Sequence, residues 1–352
     1  MAITSLIYKL VILSALSISL VIYFIFVTYK NGRFASHIIK VDREKIFDKN
    51  TLVKDTSFQQ FGLEQITMLK RMDKKRPLFN IKMTPWKVLS DNHTMHSEDC
   101  RWSMIVAVKS GYDRDKQRDH IRKTWGSNTF LNGVCLHVIF TVANTKTIEE
   151  HSQLEKEESI HGDILQIDLE ETYPNIGYKA LASMQWIGEN FPNNWIYSSA
   201  DDDMLPDLPL YYNDVEYLMN GEKNSSINFT SNDFLALNSA NHFPIFCGFW
   251  QARTGKPKRY DCKWQIDVKT YPYEYYPPFC LGGFYSMSVK HASAIYSVSR
   301  WYPYFHLDDV WITGFMRLRL CDLISEEDFT FNKTDFNCGI SKLLGDRVIH
   351  GA

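Results

Sequence analysis

The sequence lacks an excess of charge of either sign. Its 39 Lys and Arg residues nearly balance its 41 Asp and Glu residues, which leaves a formal net charge of -2. Without a basic excess the chain does not attract the phosphates of nucleic acids, so we expect no nucleic-acid partner. It is also not short of hydrophobic residues, which make up 45% of the chain, so wholesale disorder is excluded.

The cysteines form no Cys-x-x-Cys pair and show no metal-ligand spacing, which argues against a structural zinc site. There are seven of them: Cys100, Cys135, Cys247, Cys262, Cys280, Cys321 and Cys338. In an oxidising compartment most would pair and one would be left over. Spacing alone does not decide which cysteines pair.

A long uncharged run does exist near the N-terminus, from Leu10 to Tyr29. As a helix it would span roughly 30 Å, the thickness of the hydrocarbon core of a bilayer. The run is longer than the apolar region of a signal peptide, and no small-x-small cleavage site follows it. We therefore predict an uncleaved membrane anchor.

The orientation of this anchor rests on two opposing signals. Lys30, Arg33 and Lys40 follow the run, and by the positive-inside rule they slightly favour a cytoplasmic C-terminal side. Glycosylation sequons favour the lumenal side instead; they lie at Asn92, Asn224, Asn228 and Asn332. Weighing the sequons more heavily, we predict a cytoplasmic tail (1–9), a transmembrane segment (10–29), a polar stem (30–98) and a lumenal domain (99–352).

The lumenal part shows short apolar runs that alternate with helical patterns. The predicted strands are Met104–Val108, Leu136–Val142, Ile164–Ile167 and Trp195–Tyr197. The predicted helices are Asp113–Trp125, Thr147–Glu158 and Gly177–Asn190. Alternation of this kind is typical of an α/β fold with a mostly parallel sheet flanked by helices.

Three consecutive aspartates, Asp201, Asp202 and Asp203, follow the fourth strand. An acidic triplet is often a solvated loop, but the carboxyl ends of strands are where ligands of open α/β sheets bind. Crowded carboxylates repel one another unless a cation offsets them. Oxygen ligands suit Mg²⁺ or Mn²⁺, so the triplet predicts a metal site that also binds a nucleotide diphosphate.

Two further segments carry candidate site residues. Asp308 and Asp309 precede an apolar segment, where one acid would serve as a general base near the metal; the alternative is a helix N-terminus with acids in its first turn. Tyr275–Phe284 contains adjacent glycines, Gly282 and Gly283, that let backbone approach a ligand closely. Its alternative is a Pro/Gly turn with buried tyrosines.

Together these motifs resemble the β1,3-galactosyltransferase/N-acetylglucosaminyltransferase family (glycosyltransferase family 31). The resemblance runs from about residue 101 to His350. It covers, in family order, Arg118–Gly126, Gly162–Lys179, Asp201–Asp203, Tyr276–Gly283 and Asp308–Val310. One departure is that Ser199 stands where many relatives have a lysine two residues before the triplet, which leaves the acids less compensated.

The resemblance implies a GT-A-like fold, a single-pass type II Golgi membrane protein, and inverting transfer of a hexose. The donor would be UDP-galactose or UDP-N-acetylglucosamine, and the acceptor a glycan on a glycoprotein or glycolipid. Asp203 with Asp201 would hold Mn²⁺ or Mg²⁺, with His350 near the metal, and Asp309 would be the base. The donor site would also include Arg118, Arg122, Lys179, Asp202, Gly282 and Gly283. A non-catalytic lumenal glycan-binding relative with the same fold is the alternative.

Overall fold

The computed structural model describes ten stretches of the chain, all within one compact unit, Asp55–Ala352. They are residues 68–94, 100–127, 130–131, 133–209, 211–212, 245–247, 250–251, 255–322, 340–342 and 348–350. No helix in these stretches is both long enough and apolar enough to cross a bilayer. The predicted tail, the transmembrane segment 10–29 and most of the stem lie outside them, as do three of the four sequons.

The predicted strand–helix alternation is confirmed. The first strands are β1 (Ile81–Met83), β2 (Trp102–Lys109), β3 (Phe130–Leu131), β4 (Val134–Val142), β5 (Ile164–Ile167), β6 (Ile196–Asp201) and β7 (Met204–Pro206). The remaining strands are β8 (Ile245–Cys247), β9 (Trp250–Gln251), β10 (Phe279–Cys280), β11 (Phe284–Ser288), β12 (Ile340–Lys342) and β13 (Val348–His350).

The helices flank this sheet. They are α1 (Trp86–Thr94), α2 (Asp115–Lys123), α3 (Ile148–His161), α4 (Ile176–Asn190), α5 (Val289–Ser299) and α6 (Arg317–Asp322). Single 3-10 turns cover Trp125–Ser127 and Tyr173–Asn175, and a π-helical segment, Val310–Met316, leads into α6. The best-capped is α3: Thr147 and Glu150 form a reciprocal capping box, and Gly162 ends the helix in the left-handed conformation.

The main sheet has the order β1-β5-β4-β2-β6-β11-β8-β12, with β3 beside β4. Its centre is parallel: β2 pairs with β4 and β6, and β4 with β5. The strand β11 runs antiparallel to β6, and β1 antiparallel to β5. The parallel strands are buried on both faces, as their continuous apolar runs predicted. This mixed α/β sheet is consistent with a GT-A-like fold.

The ordered domain begins earlier than the predicted boundary at residue 98. Strand β1 pairs with β5 at the sheet edge, although it was assigned to the stem. Upstream of it, the Met72 N–H donates to the Trp301 carbonyl at 2.8 Å, and the Arg76 N–H donates to the Arg300 carbonyl at 2.7 Å. These backbone contacts gave no signal in the polar composition of the segment.

Two disulfides decide part of the cysteine pairing. Cys100 pairs with Cys135, with 5.6 Å between their Cα atoms, and Cys247 pairs with Cys280, with 5.7 Å. The second links β8 to β10, just before the two glycines Gly282 and Gly283. Cys262 is the free cysteine within the described side chains.

Candidate active site

The centre of the candidate site is a lysine that no motif predicted. Lys109 ends β2 and stands opposite Asp201, the last residue of β6, in the parallel register. Its ammonium lies 3.0 Å from the Asp201 carboxylate and 2.7 Å from that of Asp308, and it donates to the Gly282 carbonyl at 3.2 Å. One buried cation therefore joins the aspartate triplet to the second acidic pair, across three separate chain segments.

The charges of this cluster depend on one another. Burial by itself would lower the pKa of Lys109, but Asp201 and Asp308 hold the pKa of its ammonium well above the ordinary value. Burial raises the pKa of Asp201; the neighbouring Lys109 opposes the shift, and the charge of Asp308 adds to it. The lysine thus remains charged and keeps the two carboxylates together.

Asp309, the predicted base, is half-buried beside this cluster. One carboxylate oxygen accepts from the Val310 N–H at 2.7 Å, which places Asp309 at the start of the π-helical segment. Burial, followed by the negative charge of Asp308, raises the pKa of Asp309 to about 7. A carboxylate with a pKa near neutrality is suited to accept a proton from a hydroxyl group.

Gly282 and Gly283 have no side chain, so the backbone that carries them can lie close to these acids. A Cβ at Gly282 would lie 3.3 Å from the Asp309 Cβ and 3.5 Å from a carboxylate oxygen of Asp308. The Asp201 N–H donates to the Gly283 carbonyl at 3.1 Å. Both glycines therefore border this acidic cluster.

Asp202 is held by the loop that follows β2. One of its carboxylate oxygens accepts from the Ser110 hydroxyl at 2.8 Å and from the Arg114 guanidinium at 2.7 Å. Asp203, in contrast, is exposed, and among the described residues it forms no ion pair. The three aspartates thus divide into one paired with Lys109, one tied to the loop, and one facing solvent.

Arg118 and Arg122 lie behind this loop. Arg118, fully buried, donates to both carboxylate oxygens of Glu157, at 2.8 and 2.7 Å, and to the Gly111 carbonyl. Arg122 pairs with Asp163 at 2.7 Å and with Glu157 at 2.8 Å. The described polar contacts of Arg122 are with α3 and with Asp163 just after it, whereas Arg118 also donates to the Ser110 hydroxyl at 3.2 Å. Neither arginine contacts an aspartate of the triplet.

Lys179 lies closer to the acids. Its ammonium donates to the Ser110 carbonyl at 2.8 Å and pairs with Glu171, and burial lowers its pKa despite the charge of Glu171. It supports the loop whose Ser110 hydroxyl holds Asp202. Arg118, through the Ser110 hydroxyl, and Lys179, through the Ser110 carbonyl, are thus both connected to the triplet by this one residue.

The predicted metal ligands occupy one corner of the site. In the backbone register of β7 and β13, His350 stands opposite Met204, the residue after Asp203; its side chain lies outside the description. Among the described side chains, no three His, Cys, Asp or Glu residues gather as a ready-made metal site. Asp201 and the unpaired Asp203 still suit Mg²⁺ or Mn²⁺, which bind through one or two carboxylates and complete their shell with water and phosphate.

Several site residues were not predicted from the sequence, namely Lys109, Ser110, Arg114 and Glu171. A signal for Lys109 was present. It directly follows the apolar run Met104–Val108, and the carboxyl ends of neighbouring parallel strands share one edge of the sheet.

Comparison with known proteins shows which family the chain belongs to. A family model described as Galactosyltransferase matches residues 116–323, which include the triplet, the glycines and Asp309. Beta-1,3-galactosyltransferase 5 of Homo sapiens is 30% identical over 237 residues, covering 66% of this chain and 70% of the relative.

More distant relatives carry similar names. Beta-1,3-galactosyltransferase brn of Drosophila melanogaster is 26% identical over 233 residues, covering 65% of this chain and 64% of its own. Beta-1,3-galactosyltransferase 2 of Homo sapiens is 27% identical over 233 residues, covering 65% of this chain and 50% of its own.

Proposed function

Because the chain belongs to the galactosyltransferase family and is therefore a glycosyltransferase, we propose that it transfers galactose from UDP-galactose to a hydroxyl group of an acceptor glycan. The linkage would be β1,3, as in the names of its relatives, and the transfer would invert the anomeric carbon. The acceptor would be carried by a glycoprotein or glycolipid, and the enzyme would act in the Golgi lumen from a type II membrane anchor.

The observation that carries the proposal is the juxtaposition made by Lys109. It brings Asp308, and with it Asp309, within reach of the acids that end β6. An inverting transfer needs one base on the acceptor side and positive charge on the leaving-group side, whereas inverting glycosidases use two carboxyl groups. The arrangement has one carboxylate tuned for proton transfer and a separate acidic corner for a cation.

In the proposed reaction Asp309 accepts the proton of the acceptor hydroxyl group while the oxygen atom of that hydroxyl group attacks the anomeric carbon. The bond from that carbon to the UDP oxygen breaks as the new glycosidic bond forms. Asp203 with Asp201, and by the family resemblance His350, would hold Mn²⁺ or Mg²⁺, which would supply positive charge for the departing diphosphate. A side chain at Gly282 would crowd Asp309 and Asp308, so glycine at this position leaves space beside both acids.

The test is a panel of UDP-sugars incubated with the full-length protein in detergent, Mn²⁺ and an acceptor such as methyl N-acetyl-β-D-glucosaminide. We expect UDP release and product with UDP-galactose above all others. Preference for UDP-N-acetylglucosamine would correct the donor. Tight binding of UDP with no release from any donor would overturn catalysis and favour a glycan-binding relative.

A further inference from the structure

An exposed aromatic pair, Trp264 and Tyr173, plays no part in the reaction described above. Trp264 is 46% exposed and Tyr173 is 38% exposed, although both are large and partly apolar. The ammonium of Lys263 lies over both rings, 4.6 Å from the centroid of Trp264 and 5.2 Å from that of Tyr173. The three side chains therefore form one cluster, made by two segments far apart in sequence.

The tyrosine half of this cluster is fixed next to the acids. The Tyr304 hydroxyl donates to the Pro174 carbonyl at 2.8 Å and accepts from the Gly177 N–H at 3.2 Å. A Cβ at Gly177 would come within 2.9 Å of the Asp308 Cβ, so the first turn of α4, which directly follows the turn that carries Tyr173, packs against Asp308. Burial raises the pKa of Tyr173 to about 12, and the negative charges of Asp308 and Asp309 contribute to the shift.

The tryptophan half is fixed by Arg259. Its guanidinium donates to the carbonyls of Ile266, Tyr271 and Tyr273, at 2.9, 2.7 and 3.0 Å. The Ile266 N–H in turn donates to the Lys258 carbonyl at 2.9 Å, and the Ile266 side chain is buried in the core. Trp264 therefore stands on a loop braced at several points, and its exposure is not that of a loose tip.

An exposed indole on a braced loop is suited to bind a sugar ring. Aromatic faces stack on the apolar C–H face of a pyranose ring, and rigid aromatic side chains do so at a low entropy cost. Lys263 covers part of the aromatic surface, and nearly half of the Trp264 side chain stays open to solvent. A sugar stacked on Trp264 would lie on the same side of Asp308 and Asp309 as Tyr173 does.

We propose that Trp264 and Tyr173 form the platform on which the acceptor sugar stacks, with Lys263 holding the two rings together. This inference rests on the proposed function and names the acceptor side of the same site. The ligand class is a neutral pyranose at the end of a glycan, with one face free of axial hydroxyl groups. Its reacting hydroxyl group would then reach Asp309.

The test measures transfer to methyl N-acetyl-β-D-glucosaminide by the full-length protein with UDP-galactose and Mn²⁺. We expect Trp264→Ala to raise the KM for the acceptor at least tenfold, and Trp264→Phe to restore most of the loss. The Kd for UDP, from calorimetry with Mn²⁺, should stay within twofold. Tyr260→Ala is the matched control, since Tyr260 lies on the same loop and is 62% exposed; its acceptor KM should not change.

The outcomes separate the two proposals. If the wild-type protein neither releases UDP nor makes product, the proposed function fails. If the wild type is active and Trp264→Ala keeps its acceptor KM within twofold, the platform is wrong. A tenfold loss of UDP affinity in Trp264→Ala would instead place the ring on the donor side and also overturn the inference. Should Trp264→Ala fail to fold, Tyr173→Leu must show the same rise in acceptor KM.

Discussion

Two buried networks of charge lie on either side of the loop Ser110–Arg114, and they are built differently. Behind the loop, Arg118 and Arg122 face Glu157 and Asp163, so that two positive charges meet two negative ones. In front of it, acids outnumber bases. The acids are Asp201, Asp202, Asp203, Asp308, Asp309 and Glu171, and the bases that contact them are Lys109, Arg114 and Lys179.

The difference in charge balance indicates which of the two networks would bind a ligand. A balanced network has satisfied its charges internally, so a further ion would gain little by binding there. In the unbalanced network burial and neighbouring acids raise the pKa of Asp201 and of Asp309, and a bound cation would offset that repulsion. We therefore expect the rear network to have a structural role and the front network to bind a metal and a diphosphate. Four predictions test this division, ordered by the size of their effect on turnover.

The largest effect is expected from Asp309→Asn. The amide cannot accept the proton of the acceptor hydroxyl, and general bases contribute about 10²- to 10⁴-fold to rates, so kcat should fall by at least about 100-fold. The Kd for UDP with Mn²⁺ should change little, because Asp309 is not among the proposed metal ligands. Asp261→Asn, at an exposed loop position, is the control. A variant that keeps more than about a tenth of the wild-type rate would remove Asp309 from the role of base.

Lys109→Gln should have the next largest effect. It leaves Asp201 and Asp308 without their shared cation, so we expect kcat to fall roughly 10- to 100-fold and the free energy of unfolding to fall by about 3 kcal/mol. Urea unfolding and steady-state kinetics measure the two. The control is Lys82→Gln, which removes a half-exposed pair with Asp168. Full activity in Lys109→Gln would mean that the two acidic groups do not need to be joined.

The pH dependence of turnover follows from Asp309. Its pKa of about 7 means that the active carboxylate is lost below neutrality, so kcat should fall about tenfold from pH 6 to pH 5 and level off above pH 8. Stability should move the other way. An acid whose pKa is raised on folding favours the folded state while protonated, so this contribution is lost as pH rises from about 4 to 7. In Asp309→Asn the contributions of Asp309 to the pH dependence of kcat and to that of stability should both vanish. If the residual rate keeps the wild-type pH profile, another group is responsible for the pH dependence of kcat.

Arg122→Met should change turnover least. It breaks the rear network and leaves Glu157 and Asp163 buried without one partner, so the free energy of unfolding should fall by roughly 3 kcal/mol. At a temperature where the variant stays folded, the KM for UDP-galactose should remain within twofold of wild type. Lys123→Met on the same helix loses an exposed pair with Asp119 and should lose under about 1 kcal/mol. A large rise in donor KM would return Arg122 to the donor site that the sequence predicted for it.

The sequence predicted the parallel centre of the sheet because a strand buried on both faces needs a continuous apolar run, and such a run is visible at Met104–Val108. It did not reveal β1, whose three residues pair at the edge with one face open and carry no such run. The site residues likewise divide into those that the sequence predicted and those that it did not. The triplet and the glycines were visible as clusters of adjacent residues, whereas the partner of Asp201 was not.

Lys109, the partner of Asp201, shows most clearly what the sequence alone did not predict. The sequence has Ser199 where a lysine was expected, and by itself this indicated an undercompensated acidic cluster. In the structure the missing charge comes from the adjacent strand, because the register of β2 and β6 puts Lys109 beside Asp201. Register is a property of two paired strands, and no spacing within one strand encodes it.

By itself, then, the sequence determined which segments become buried strands, which carboxylates end them and which family the motifs resemble, because each depends on residues close together in the chain. Only the tertiary structure decided that Lys109 joins Asp201 to Asp308, that Arg118 and Arg122 face α3, and that Trp264 stands beside Tyr173. Each of these pairs forms between distant segments, and its distance is set by how the whole sheet and its helices pack.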